Sequence, residues 1–166
     1  MVYRKATKED LKEILKLKKI VKDSIIKEGL QIWLHGYPED KLIIDDVVNG
    51  EGRVIEKDGV ILGYANCHLC LTEYPKGTFK SDNIQCFGRL MVAPENRGKK
   101  VGYTLINGII EESKTLGVEG VGVLVDACNE RAIHLYKKFG FAMENQATFK
   151  FSEVLTVVLD IYAIYF

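Results

Sequence analysis

The chain has 166 residues, 47% of them apolar and 28% charged, and its 23 basic side chains are balanced by 23 acidic ones. That length suits one domain, 1–166, with a core of its own, and a net charge of zero excludes bulk attraction to nucleic acid or to an anionic membrane. No apolar run approaches the roughly 20 residues needed to span a bilayer, and the first residues, from Met1 through Val2, Tyr3 and Arg4, hold no apolar signal core, so a cytoplasmic protein is expected, with no nucleic-acid and no membrane partner.

In chain order, residues 2–6 read as a first strand. Thr7 and Asp10 have the spacing of a capping box and open a helix. Its apolar face, Leu11, Ile14, Leu15, Val21 and Ile25, runs to residue 27, and Gly29 ends it. The stretch 32–38 is rich in aromatic and turn residues, and Pro38 suits the first turn of a second helix reaching residue 49. Strands over 53–57 and 60–71 are joined through Asp58-Gly59, a strong hairpin signal. A loop with Pro75 and Gly77 spans 72–83, and a strand follows over 84–92. A helix over 99–116 presents Val101, Leu105, Ile106, Ile109 and Ile110, with Gly117 at the position of a C-terminal cap. Residues 120–125 form a nearly unbroken apolar run, as in a strand covered on both faces. Asn129 starts a short helix that ends at Gly140, and 141–149 and 155–165 read as two final strands. Cys67 and Cys70 are three apart on an expected strand and so point to opposite faces. Buried free thiols are expected there, and no metal.

The chemistry gathers where the strand 84–92 turns into the following helix. Pro94 cannot donate to a sheet ladder and helps stop the strand. Arg97, Gly98, Lys99 and Lys100 then lead into the helix. The first backbone N–H groups of a helix lack internal partners and sit at the positive end of its dipole, so a strand, a Gly- and Lys-rich turn and a helix make an anion site suited to a diphosphate.

The run from Arg97 to Gly102 resembles the acetyl-CoA-binding motif of the GNAT acetyltransferase superfamily, Arg/Gln-x-x-Gly-x-Gly/Ala. Lys100 stands where that pattern has glycine, and its ammonium can pair with phosphate. A second motif, Asn129 to Phe141, resembles the family's Asn-x-x-Ala-x-x-x-Tyr-x-x-x-Gly-Phe. At about 100° per residue, Asn129, Ala132 and Tyr136 share one helical stripe. The element order β-α-α-β-β-β-α-β-α-β-β matches the family's fold across the chain: an α/β fold of the α+β kind, with a mixed, mostly antiparallel sheet of six to seven strands and about four flanking helices.

The resemblance implies acetyl transfer from acetyl-CoA, as cosubstrate, to a primary amine of a small molecule or a protein. It implies a cofactor-binding set of Leu90, Met91, Val92, Arg97, Gly98, Lys99, Lys100, Val101, Gly102, Asn129, Ala132 and Tyr136. Leu90 to Val92 are expected to splay from the neighbouring strand and pair with pantetheine as an added strand does. A backbone N–H near Met91 is expected to face the thioester oxygen, and Tyr136 to protonate the leaving thiolate. Trp33, Tyr37 and Glu73 are expected to border the acceptor. An amine with a pKa near about 10.4 must lose a proton before it attacks. Glu73, His68 and His35 are the candidates for that base, and Cys128 for a structural thiol. Two other readings stand beside this one: an acyl-CoA-binding module without catalysis, and a Rossmann-type nucleotide binder, which the lack of Gly-x-Gly-x-x-Gly disfavours. Either a monomer or a homodimer is compatible with the sequence.

Overall fold

A computed structural model describes residues 1–30, 33, 36–72, 74–150 and 156–166. Seven strands form one sheet: β1 (Val2–Lys5), β2 (Gly52–Lys57), β3 (Val60–Leu69), β4 (Ile84–Val92), β5 (Gly120–Asp126), β6 (Ala142–Lys150) and β7 (Thr156–Tyr165). Their spatial order is β1-β2-β3-β4-β5-β7-β6. Neighbours run antiparallel except β4 and β5, which are parallel. Four α-helices occur among the described residues: α1 (Leu11–Lys27), α2 (Asp40–Val48), α3 (Val101–Leu116) and α4 (Glu130–Lys138). The mixed, mostly antiparallel sheet with flanking helices is the architecture that the element order implies. No described helix is long and apolar enough to cross a membrane.

Successive strand residues point to opposite faces, and this alternation sorts the core into two layers. Val54 and Tyr64 share a cluster with Ile14, Val21 and Ile25 of α1 and Ile43 of α2. Their neighbours Ile55 and Ala65 share another with Leu105, Ile106 and Ile109 of α3. Each helix contributes apolar residues three or four apart, as a single buried stripe requires.

The local signals act as their chemistry dictates. The Thr7 N–H donates to Asp10 Oδ2 at 2.8 Å and opens a single 3-10 turn, Lys8–Asp10, ahead of α1. Asp58 and Gly59 both have positive φ, 53° and 77°, as a two-residue turn matched to strand twist demands.

Some boundaries move. β3 ends at Leu69 because Cys70–Thr72 coil into a 3-10 turn. Helix α2 begins at Asp40, two residues after Pro38, because Glu39 is extended and acts as the N-cap. Helix α3 begins at Val101 because Lys100 is left-handed. Cys67 lies in the cluster under α3, whereas Cys70 and Cys86 pack with Phe79 and Ile161, and Cys128 is exposed; none of the four forms a disulfide. Burial pushes the Cys67 thiol up to about 12.

Candidate active site

Two irregularities of the sheet create a cavity. β4 pairs with β5 only from Ile84↔Gly120 to Phe87↔Val123, after which the two strands part. Just there β4 bulges: Tyr64 pairs with Met91 and Asn66 with Gly88, so an extra residue on β4 is accommodated beside β3. The bulge holds Arg89 at a φ of 50°, uncommon for a residue with a side chain. The gap opens into a cavity of about 950 Å³, bordered by Gly88, Leu90 and Val92 on one side and Leu124 and Asp126 on the other.

At one end of this gap lies the start of α3. Lys100 is its N-cap residue, at φ 64°, and no side chain caps the helix, so the first-turn N–H groups are left for an outside anion. The turn reaches that geometry through Gly98, at φ 76°, and Lys100. Glycine takes this left-handed conformation without the steric cost that a Cβ brings. Arg97, Gly98, Lys100, Val101 and Gly102 line the cavity; Lys99 does not. The Lys99 N–H turns back to the Asn96 carbonyl at 3.3 Å. Gly102 has a packing reason for lacking a side chain, since a Cβ there meets Leu135 of α4 at 3.2 Å.

The Arg97 guanidinium donates to Glu28 Oε1 at 2.8 Å, and Arg131 from α4 donates to Oε2 of the same carboxylate at 2.7 Å. Partial burial works against ionising Glu28, but the hydrogen bonds from Arg131 and Arg97 outweigh it and hold the carboxyl below its ordinary range. Both arginines line the cavity.

Helix α4 brings Asn129, Ala132 and Tyr136 to the same cavity. Asn129 is its N-cap: Oδ1 accepts from the Ala132 N–H at 3.2 Å, which leaves the amide NH2 for a ligand. Tyr136 is 3% exposed, with its ring edge-on to Phe87 at 5.5 Å. Burial pushes its phenol above the ordinary value, so it keeps its proton across neutral pH. No hydrogen bond engages its hydroxyl among the described residues. Met91 is placed differently from its neighbours: its side chain is fully buried in the cluster with α1 and α2, and it is not among the residues lining the cavity.

The far wall carries Trp33 and Tyr37, whose rings meet edge-on at 6.1 Å. Behind them lies a buried network that the sequence reading missed. Arg89 grips Asp46 of α2 with two hydrogen bonds, Nε to Oδ2 at 2.9 Å and Nη2 to Oδ1 at 2.7 Å. Its Nη1 donates to the Tyr37 hydroxyl at 3.2 Å, and the Tyr64 hydroxyl donates to Asp46 Oδ2 at 2.7 Å. A legible signal existed: Asp46 falls on the buried stripe of α2 beside Ile43 and Val47, where a carboxylate needs a partner. Asn66, fully buried, also lines the cavity, and its Oδ1 has no partner among the described residues. His68 is buried on β3 with Nδ1 at 3.0 Å from the Asn66 amide, away from the cavity lining. Glu73 and His35 lie outside the described residues.

The chain matches the family described as Acetyltransferase (GNAT) family over residues 16–141. It belongs to the GNAT acetyltransferase family. A GNAT family acetyltransferase from Streptococcus agalactiae superposes with a TM-score of 0.80 at 24% identity, covering 99% of this chain and 95% of that one. The structure of yncA from Salmonella typhimurium, solved with its cofactor acetyl-CoA, superposes with a TM-score of 0.69 at 18% identity, covering 99% and 92%. Mycothiol acetyltransferase from Propionibacterium freudenreichii is 39% identical over 54 residues, which is 32% of this chain and 17% of that protein. In this GNAT chain the matched span contains α3, the parted strands and Tyr136.

Proposed function

We propose that residues 1–166 form one acetyltransferase domain that moves an acetyl group from acetyl-CoA to a primary amine by direct attack in a ternary complex. The supporting observation is the gap between β4 and β5, whose lining joins an uncapped helix start at one end to Tyr136. The N–H groups of α3, with Arg97 and Lys100, hold the diphosphate. The freed edges of Leu90 to Val92 and the Asn129 amide take the pantetheine amides. Backbone N–H groups at the bulge stabilise the oxyanion as the amine nitrogen bonds to the thioester carbon. The carbon–sulfur bond then breaks, and Tyr136 gives its proton to the departing thiolate. The proton the ammonium sheds before attack leaves through water, and the second proton that the nitrogen loses as the amide forms passes through water to restore the Tyr136 hydroxyl. Trp33 and Tyr37 border the acceptor, with Glu73 retained as a candidate contact.

Two measurements on one preparation test this. Calorimetric titration with acetyl-CoA is expected to show binding, with no binding of NAD, and thiol release is expected with at least one member of an amine panel. Binding without thiol release from any amine identifies a non-catalytic acyl-CoA module. An absence of acetyl-CoA binding overturns the proposal.

A further inference from the structure

Alternation along β5 sends Val121, Val123 and Val125 into the cluster under α3 and turns Leu124 and Asp126 to the opposite face. There Leu124 packs with Leu159, Val157 and Phe149, and Asp126 pairs across the sheet with Leu159. Leu124, Asp126, Phe149 and Leu159 all line the cavity. Asp126 is therefore a carboxylate set into an apolar wall, 6% exposed. Its Oδ1 accepts from the Cys128 N–H at 2.9 Å. Its Oδ2 is buried and has no hydrogen-bond partner among the described residues, and no described lysine or arginine forms an ion pair with it. A buried carboxylate oxygen whose lone pairs accept no hydrogen bond costs free energy that a donor or a cation offsets.

We propose that Asp126 is the anchor for a cationic group of the acceptor, so that the preferred acceptor is a diamine or polyamine. The inference rests on the transfer reading of the cavity and narrows its substrate class. A carboxylate in contact with an ammonium stabilises the protonated form, and a protonated amine has no lone pair with which to attack. Asp126 therefore suits a positive group other than the nitrogen that is acetylated. The methylene chain between the two nitrogens meets Leu124, Phe149 and Leu159, which gives the diamine an apolar path. A monoamine of equal length gains only the apolar part.

The test compares 1,4-diaminobutane with n-butylamine in the parent and in Asp126→Asn, which keeps the acceptor for the Cys128 N–H and the shape of the wall. In the parent, the diamine is expected to have the lower KM. In Asp126→Asn its KM is expected to rise about 10- to 100-fold, the range for one charge-assisted contact, with kcat, acetyl-CoA affinity and the KM of butylamine little changed. An equal change for both amines, or none, overturns the proposal. Direct calorimetric binding of 1,4-diaminobutane to parent and variant reads the same contact without turnover. Acetyl-CoA titration of the same samples shows separately whether the transfer reading stands.

Discussion

Lys100 combines two effects of opposite sign. Its left-handed backbone costs a residue with a Cβ about 1 kcal/mol relative to glycine, while the residue lines the cavity at the helix start, where an ammonium can pair with phosphate. Lys100→Gly is therefore expected to stabilise the fold by about 1 kcal/mol in denaturant unfolding and to weaken acetyl-CoA binding several-fold at low salt. The loss should shrink as ionic strength rises. Tyr136 separates catalysis from packing. Tyr136→Phe keeps the ring against Phe87 and removes only the hydroxyl, which engages nothing else described. Turnover at saturating acetyl-CoA is expected to fall about 10²-fold with KM and stability near the parent values. Turnover within about threefold of the parent makes Tyr136 a packing residue. The sequence could suggest both positions because each follows a short motif. It could not suggest Asn66 or Asp126, which become unusual only when burial removes water from their oxygens.

Among the elements, β4 was readable to its ends, 84–92, because its apolar run is bounded by turn residues on one side and Pro94 on the other. Its bulge was not readable. A bulge is decided by pairing with β3 and by the Asp46 carboxylate 43 residues away in the chain, and neither leaves a local signal. Asp46 and Arg89 are both nearly inaccessible, so removing the Asp46 carboxylate takes two charge-assisted hydrogen bonds from a buried guanidinium. Asp46→Ala is expected to destabilise the fold by about 3 kcal/mol. It should also weaken acetyl-CoA binding, because Arg89 at the bulge then loses two of its hydrogen bonds. Chemical denaturation and calorimetry on the same variant check the two effects. Helix starts shifted as the end of β3 did: Asp40 and Val101 each begin two residues late because the preceding backbone, extended at Glu39 and left-handed at Lys100, is set by the turn.

For the molecule as a whole, ionisable groups set a pH window. The hydrogen bond from Arg4 holds the Asp10 carboxyl down at about 2, and Glu28 and Glu112 are also held low against partial burial by their arginines. A depressed carboxylate contributes its full stability above the unfolded value near about 4 and loses it as pH falls through the folded one. Buried Cys67, at about 12, and the phenols of Tyr3, Tyr64 and Tyr136, raised mainly by burial, act in the other direction. Their contribution is present below the unfolded pKa and fades as pH rises through the folded one. Melting temperature measured against pH is expected to form a plateau between about pH 5 and 8 and to fall on both sides. Asp10→Asn keeps the acceptor for the Thr7 N–H and should flatten the acid limb by about 1–2 kcal/mol, allowing for solvent screening of Arg4.

The short pairing of β4 with β5 also has a mechanical meaning. The sheet consists of two leaves, β1 to β4 and β5 to β7, stitched by a seam from Ile84↔Gly120 to Phe87↔Val123 and loose beyond it. A ligand lying between the loose margins as a surrogate strand is a strut as well as a reactant. Amide hydrogen exchange at 90–92 is expected to slow when acetyl-CoA binds, while the β1–β2 ladder keeps its rates. In the proposed reaction CoA would still bridge the leaves after transfer, and widening of these loose margins is the motion expected to release it.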